Sequence, residues 1–179
     1  MTDYTALYKQ MHEDPLVFGG DTTKSYVKEI SQLITKFNAS SILDYGCGKG
    51  LQYTRDNIHH DYFNSIMPAL FDIGVSEFEQ LPSGTFDAVI SIDVLEHIPE
   101  LQLEHVLKQI YSKANKCVFL GIHSYTATKY LPNGENVHCT IRPVEWWIKL
   151  VSQYATVYTV IMVNSHDKQW VIENEQFRR

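Results

Sequence analysis

At 179 residues, with 44% hydrophobic and 20% charged residues, the chain has the composition of one soluble globular domain, without repeats, low-complexity tracts or a membrane-length apolar run. A net charge of -6 excludes non-specific adhesion to nucleic acid, since that binding rests on neutralising phosphates; a local basic groove stays open. Cys47, Cys117 and Cys139 are odd in number and lack paired spacing, so a disulfide framework or a zinc cluster is not expected.

Residues 1–20 carry Tyr4, Tyr8 and Phe18, show no clear period and end on Gly19-Gly20, which suits either a lid or a packing arm. Asp3, Lys9, Glu13 and Asp14 interrupt any apolar core of a signal peptide, so a cytoplasmic protein is expected. From Asp21, an N-cap residue type, Val27, Ile30, Leu33, Ile34 and Phe37 recur at helical spacing. A strand over 41–45 leads into a glycine-rich turn, and a short helix is expected over 51–57. The polar and aromatic segment 58–66 has no assignment, and 68–73 reads as a second strand ending near Asp72 and Gly74.

Only about a dozen residues, with Pro82, Ser83 and Gly84 as a turn, separate Asp72 from the next strand, 86–92. A full helix-plus-strand unit needs more room, so one such unit is shortened. Pro99 suits the first turn of a helix with Leu103, Val106, Leu107 and Ile110 on one face. A strand over 116–122, a long loop over 123–142 and a helix from about Pro143 follow. Adjacent Trp146 and Trp147 point about 100° apart on that helix, so one belongs to the core. His59 and His60 lie in polar sequence and are expected in solvent. The runs 156–163 and 169–173 are too close to pair other than antiparallel. The pattern is α/β: a mostly parallel sheet closed by an antiparallel hairpin strand.

The glycine-rich turn runs Ile42-Leu-Asp-Tyr-Gly-Cys-Gly-Lys-Gly50. Glycines let backbone approach a ligand where a Cβ would collide, and a following helix start favours a carboxylate or phosphate. A dinucleotide fingerprint, G-x-G-x-x-G/A, fails because Leu51 stands at its last position. The pattern present, with Asp44 two residues before Gly46, Gly48 and Gly50, resembles the cofactor loop of class I S-adenosylmethionine-dependent methyltransferases. The resemblance spans residues 41–173 and implies a Rossmann-like methyltransferase fold, one domain over 1–179. It also implies cofactor contacts at Asp44, Gly46, Cys47, Gly48 and Asp93, with Asp72 on the ribose hydroxyls and Asp61 as its alternative. The adenine partners do not carry over, because their region is the compressed segment 75–83.

Asp93-Val-Leu-Glu96-His97-Ile-Pro99 supplies two carboxylates and an imidazole at the carboxyl edge of the sheet, with His138 further along. Methyl transfer is an in-line displacement, so the enzyme positions the acceptor and removes its proton, by a base or by a divalent metal that lowers its pKa. The cluster is similar to the metal sites of two groups, small-RNA 3′-terminal 2′-O-methyltransferases and ubiquinone-biosynthesis O-methyltransferases. That similarity implies Asp93, Glu96, His97 and His138 as ligands of Mg²⁺, Mn²⁺, Fe²⁺ or Zn²⁺, Asp93 being one methylene shorter than the glutamate usual there. Asp93, His97 and His123 are the candidate catalytic residues. The expected activity is methylation of an oxygen or nitrogen of a small-molecule acceptor. The alternatives are methylation of an RNA-terminal hydroxyl and a non-catalytic module that binds S-adenosylmethionine or scaffolds a partner; oligomeric state is open.

Overall fold

A computed structural model of the chain describes residues 2–165 and 168–173. Its centre is a six-stranded sheet in the order β2-β1-β3-β4-β5-β6. β1 (Ile42–Tyr45), β2 (Ala69–Phe71), β3 (Phe86–Ile92), β4 (Ala114–His123) and β5 (Tyr158–Ser165) run parallel, and β6 (Lys168–Glu173) returns antiparallel to β5. The hairpin expectation thus holds for its described residues; residues 166 and 167 lie outside them.

Both faces of the central strands are apolar because both are covered. Along β3 and β4, Val89, Val118, Leu120 and Ile122 point to one core, shared with α5 (Glu100–Lys113) and α6 (Val144–Ser152). Ala88, Ile90, Ile92, Cys117 and Phe119 point to the other, shared with α2 (Val27–Lys36). Trp147 is fully buried and Trp146 only partly, as the 100° offset requires.

Several local expectations are corrected. Residues Tyr4–His12 form a helix, α1, capped by Asp3, whose side chain accepts from the Ala6 amide. Asp21 opens a 3-10 turn, Asp21–Tyr26, before α2 rather than capping it, and its carboxylate pairs with Lys24 and Arg55. The predicted helix over 51–57 ends early as α3 (Leu51–Thr54), and Asn57 at φ 53° starts a separate α4 (Ile58–Tyr62). His59, on α4, is buried; His60 is exposed. Pro99 sits at the N-cap of α5.

The compressed link after β2 folds into turns, with Val75 bonded back to Asp72 and the Asp72 amide donating to the Phe78 carbonyl. No strand forms there, so β2 is a sheet edge. β1 pairs with β2 on one side and β3 on the other. The chain order reverses at that point, and a crevice opens beyond the carboxyl ends of β1 and β3.

Candidate active site

The glycine loop leaves β1 directly into that crevice. Gly46 and Cys47 amides both donate to the Phe71 carbonyl, at 2.7 and 3.1 Å, which bends the chain across the end of β2. Gly46 lies at φ 89°, and a Cβ there would overlap the Val94 side chain. Gly48, at φ 57°, donates its amide to Asp72 Oδ2 at 2.8 Å, while Gly74 donates to Asp72 Oδ1 at 2.8 Å. His12 Nε2 stands 3.6 Å from Asp72 Oδ1. Asp72 therefore both ties the loop to the end of β2 and faces the cavity. Asp61 lies on α4, outside the cavity lining.

The expected anion site at a helix start is not formed. α3 has one turn, and the Lys49 and Leu51 amides are taken by the carbonyls of Phe18 and Gly19. The arm thus packs onto the loop, and Lys49 Nζ holds the Asp14 and Val17 carbonyls.

Asp44 is placed behind the loop. Its carboxylate is 1% exposed and accepts from Tyr53 Oη at 2.7 Å and Gln52 Nε2 at 3.2 Å. Neither it nor Cys47 is among the described residues lining the cavity. Burial pushes the Asp44 carboxyl up to about 7, against the lowering by Tyr53 and Gln52. The native state then binds more protons than the unfolded chain between about pH 4 and 7, so stability falls as pH rises through that window. At about 1.4 kcal/mol per unit, the loss amounts to roughly 4 kcal/mol. Denaturant titrations across this range should show the fall in the wild type and a flattened profile in Asp44→Asn.

Asp93 follows β3 at φ 60°, in the left-handed region that aspartate and asparagine enter more readily than other side chains. Its amide is held by the Gly121 carbonyl at 2.9 Å. The turn aims the carboxylate at an imidazole cluster. Asp93 Oδ1 lies 2.8 Å from His123 Nδ1, 3.6 Å from His97 Nε2 and 3.7 Å from His138 Nε2, and Oδ2 accepts from Thr22 Oγ1 at 3.1 Å. Burial alone would raise the Asp93 carboxyl; the surrounding imidazoles of His123, His138 and His97 outweigh it and hold the group well below the usual carboxylate range. Burial lowers His97, against the raising by Asp93, which favours the neutral ring.

The four candidate metal ligands do not form one group. Asp93, His97 and His138 converge, whereas Glu96 falls with Asp93 and His123. Glu96 is fully buried; its Oε1 accepts the His123 amide, and Oε2 has no partner among the described residues. Burial, reinforced by Asp93, raises its carboxyl well above the ordinary value. His123 is bonded on both sides, to Asp93 and, through Nε2 at 3.2 Å, to the Tyr26 hydroxyl, which also receives Asn164.

One cavity of about 1060 Å³ joins these parts, with Gly46, Gly48, Asp72, Asp93, His97 and His138 on its wall. Tyr4, Tyr8 and Phe18 of the arm close it: Tyr8 donates to the His97 and Val137 carbonyls, and Phe18 meets the His97 ring edge at 5.7 Å. Trp146, Trp147 and residues 133–136 are not in the lining; Asn136 instead bonds Ala127, Lys129 and the His138 amide. Thr22, His12 and the Tyr125 carbonyl, all distant in sequence from their partners, carried no signal in the linear pattern.

No curated protein matches the chain. A family model described as a methyltransferase domain matches residues 18–152, from the end of the arm through α6. With its α/β sheet, glycine loop and cavity, the chain belongs to this family and is a class I S-adenosylmethionine-dependent methyltransferase.

Proposed function

We propose that the chain, acting as one domain, methylates an oxygen or nitrogen of a small-molecule acceptor held against Asp93, His97 and His138. The observation that carries this reading is the single cavity uniting the glycine loop and Asp72 with that cluster. S-adenosylmethionine brings a sulfonium and an ammonium, and the carboxylates of Asp21, Asp72 and Asp93 line the cavity. Gly46 and Gly48 put loop backbone on the cavity wall beside the ligand, Asp72 serves the ribose hydroxyls, and Asp44 with Cys47 braces the loop from behind. The acceptor's lone pair attacks the methyl carbon, the carbon–sulfur bond breaks, and its electrons stay on sulfur. Neutral His97 takes the acceptor's proton, and His123 positions Asp93.

The donor set also fits a divalent cation. His138 Nδ1 donates to the Tyr125 carbonyl at 2.6 Å, so in the neutral ring Nε2 is unprotonated and faces Asp93 Oδ1, itself an acceptor. Two such lone pairs and the nearby His97 Nε2 are satisfied by a cation between them. Mg²⁺, Mn²⁺, Fe²⁺ or Zn²⁺ on Asp93, His97 and His138 would lower the pKa of an acceptor hydroxyl, with His97 then a ligand rather than the base. Elemental content of the untreated protein, with activity before and after chelation, is expected to show a bound metal and an activity restored by its return. Metal-free protein whose activity survives chelation leaves His97 as the base.

A labelled methyl donor offered with panels of hydroxylated and amino compounds tests the acceptor class. Label in a small molecule supports the proposal; label only at RNA 3′ ends overturns it. No helix among the described residues is long and apolar enough to cross a membrane. The free thiols of Cys47, Cys117 and Cys139 support the proposed cytoplasmic setting.

A further inference from the structure

The short turn Asp21–Tyr26 reaches Asp93 twice. Thr22, near its start, donates Oγ1 to Oδ2 of the carboxylate at 3.1 Å. Tyr26, at its end, reaches the other oxygen through a ring: its hydroxyl stands 3.2 Å from His123 Nε2, and His123 Nδ1 stands 2.8 Å from Asp93 Oδ1. Thr22, Asp93 and His123 line the cavity; neither Tyr26 nor Asn164 is among the described residues that do.

The fold explains why these groups meet. Tyr26 is 1% exposed, and its ring is set against Phe119 with centroids 5.7 Å apart. Phe119 and His123 alternate onto the same face of β4, so a ring seated on the first carries its hydroxyl to the second. Asn164 is the register partner of His123 on the parallel strand β5, which sets the two side chains next to one another. Its amide donates to the same Tyr26 hydroxyl.

The donors and acceptors along this chain admit one complete pattern. An ionised Asp93 carboxylate only accepts, so His123 Nδ1 carries a hydrogen. The Tyr26 oxygen accepts from Asn164, and its own hydrogen has no acceptor among the described residues except His123 Nε2. Nε2 is therefore the bare nitrogen of a neutral ring. The opposite tautomer would set two lone pairs 2.8 Å apart and strand the buried phenol hydrogen.

We propose that Tyr26 and Asn164 are positioning residues for methyl transfer: they fix the Nδ1–H form of His123, which together with Thr22 clamps the Asp93 carboxylate toward the acceptor. This rests on the reading of Asp93 given above. A single turn of chain thus sets both oxygens of that carboxylate, one directly and one through the imidazole. Both ring nitrogens of His123 are committed, so the group of Asp93, Glu96 and His123 is closed to a cation, and His123 is not the base.

Tyr26→Phe keeps the packed ring and removes the hydroxyl. Its kcat is expected to fall about tenfold, while the dissociation constant of S-adenosylhomocysteine stays within about twofold of the wild type. Proton–nitrogen correlation spectra of the imidazoles should show wild-type His123 with hydrogen on Nδ1 and none on Nε2, and the Nε2–H form appearing in Tyr26→Phe. His123→Asn keeps a donor in the place of Nδ1 and has nothing in the place of Nε2, so adding Tyr26→Phe to it should cost little more. Hydrogen on Nε2 in the wild-type spectrum overturns the proposal, as do an unchanged kcat in Tyr26→Phe or fully additive losses in the pair. The wild-type spectrum decides even where a variant does not fold. Asp93→Asn at the wild-type rate removes instead the reading of Asp93, and with it the proposal, a result told apart by a spectrum that still shows the Nδ1–H form.

Discussion

Asp93→Asn is expected to lower the rate of methyl transfer at least about a hundredfold while the protein stays folded, the scale of losing a positioned acid–base or charge partner. The asparagine keeps the shape but not the charge, and Oδ1 of this carboxylate is the common partner of His97, His123 and His138. An amide placed there must also turn its NH₂ toward either Thr22 or the imidazoles, where an acceptor now stands. The loss should fall on kcat more than on the dissociation constant of S-adenosylhomocysteine, because the loop and Asp72 hold the donor. Circular dichroism, calorimetric binding and steady-state rates check the three parts. A variant within threefold of the wild-type kcat would remove Asp93 from the chemistry.

Gly46→Ala should be the most damaging change for the donor side. At φ 89° an L side chain costs about 1–2 kcal/mol, and overlap with Val94 adds about 1–3 kcal/mol more. Either Val94 is displaced or the loop shifts, and a shifted loop withdraws its amides from the Phe71 carbonyl and displaces the path under the cofactor. We expect denaturation midpoints to fall accordingly and cofactor binding to weaken beyond the range of calorimetry. Val94→Ala in the same chain makes room for the new methyl, so the pair should be less than additive. Full additivity would mean that the backbone conformation alone carries the cost.

Much of this could be read from the linear sequence because the signals are local. β3 was legible to the residue, since Phe86–Ile92 is a largely apolar stretch, interrupted by Asp87 and Ser91, with turns on both sides. The closing hairpin followed from the brevity of its connection. The lost unit after Asp72 followed from a count of residues. By contrast α1 buries none of its residues fully, so its sequence shows no stripe strong enough to reveal a helix. Asp21 has the residue type of a cap, but its ion partners Lys24 and Arg55 come together only in space. The site divides in the same way. Spacing brought Asp93 and His97 together, and the fold added His138 across the loop after β4. No spacing could separate Glu96 from that group. Its carboxylate turns inward to the His123 amide because the short 3-10 turn Leu95–His97 places neighbouring side chains in different directions.

The edge strand β2 has a consequence for how this chain keeps to itself. Dropping a strand from a sheet leaves its neighbour with a row of unpaired amides and carbonyls, which another chain can extend. β2 is only three residues long, Ala69–Phe71, and its continuation is at once folded back by the Asp72 amide on the Phe78 carbonyl. So brief a border is a poor template for strand addition, and the shortening that removed a strand also blunted the aggregation-prone edge it would otherwise have exposed.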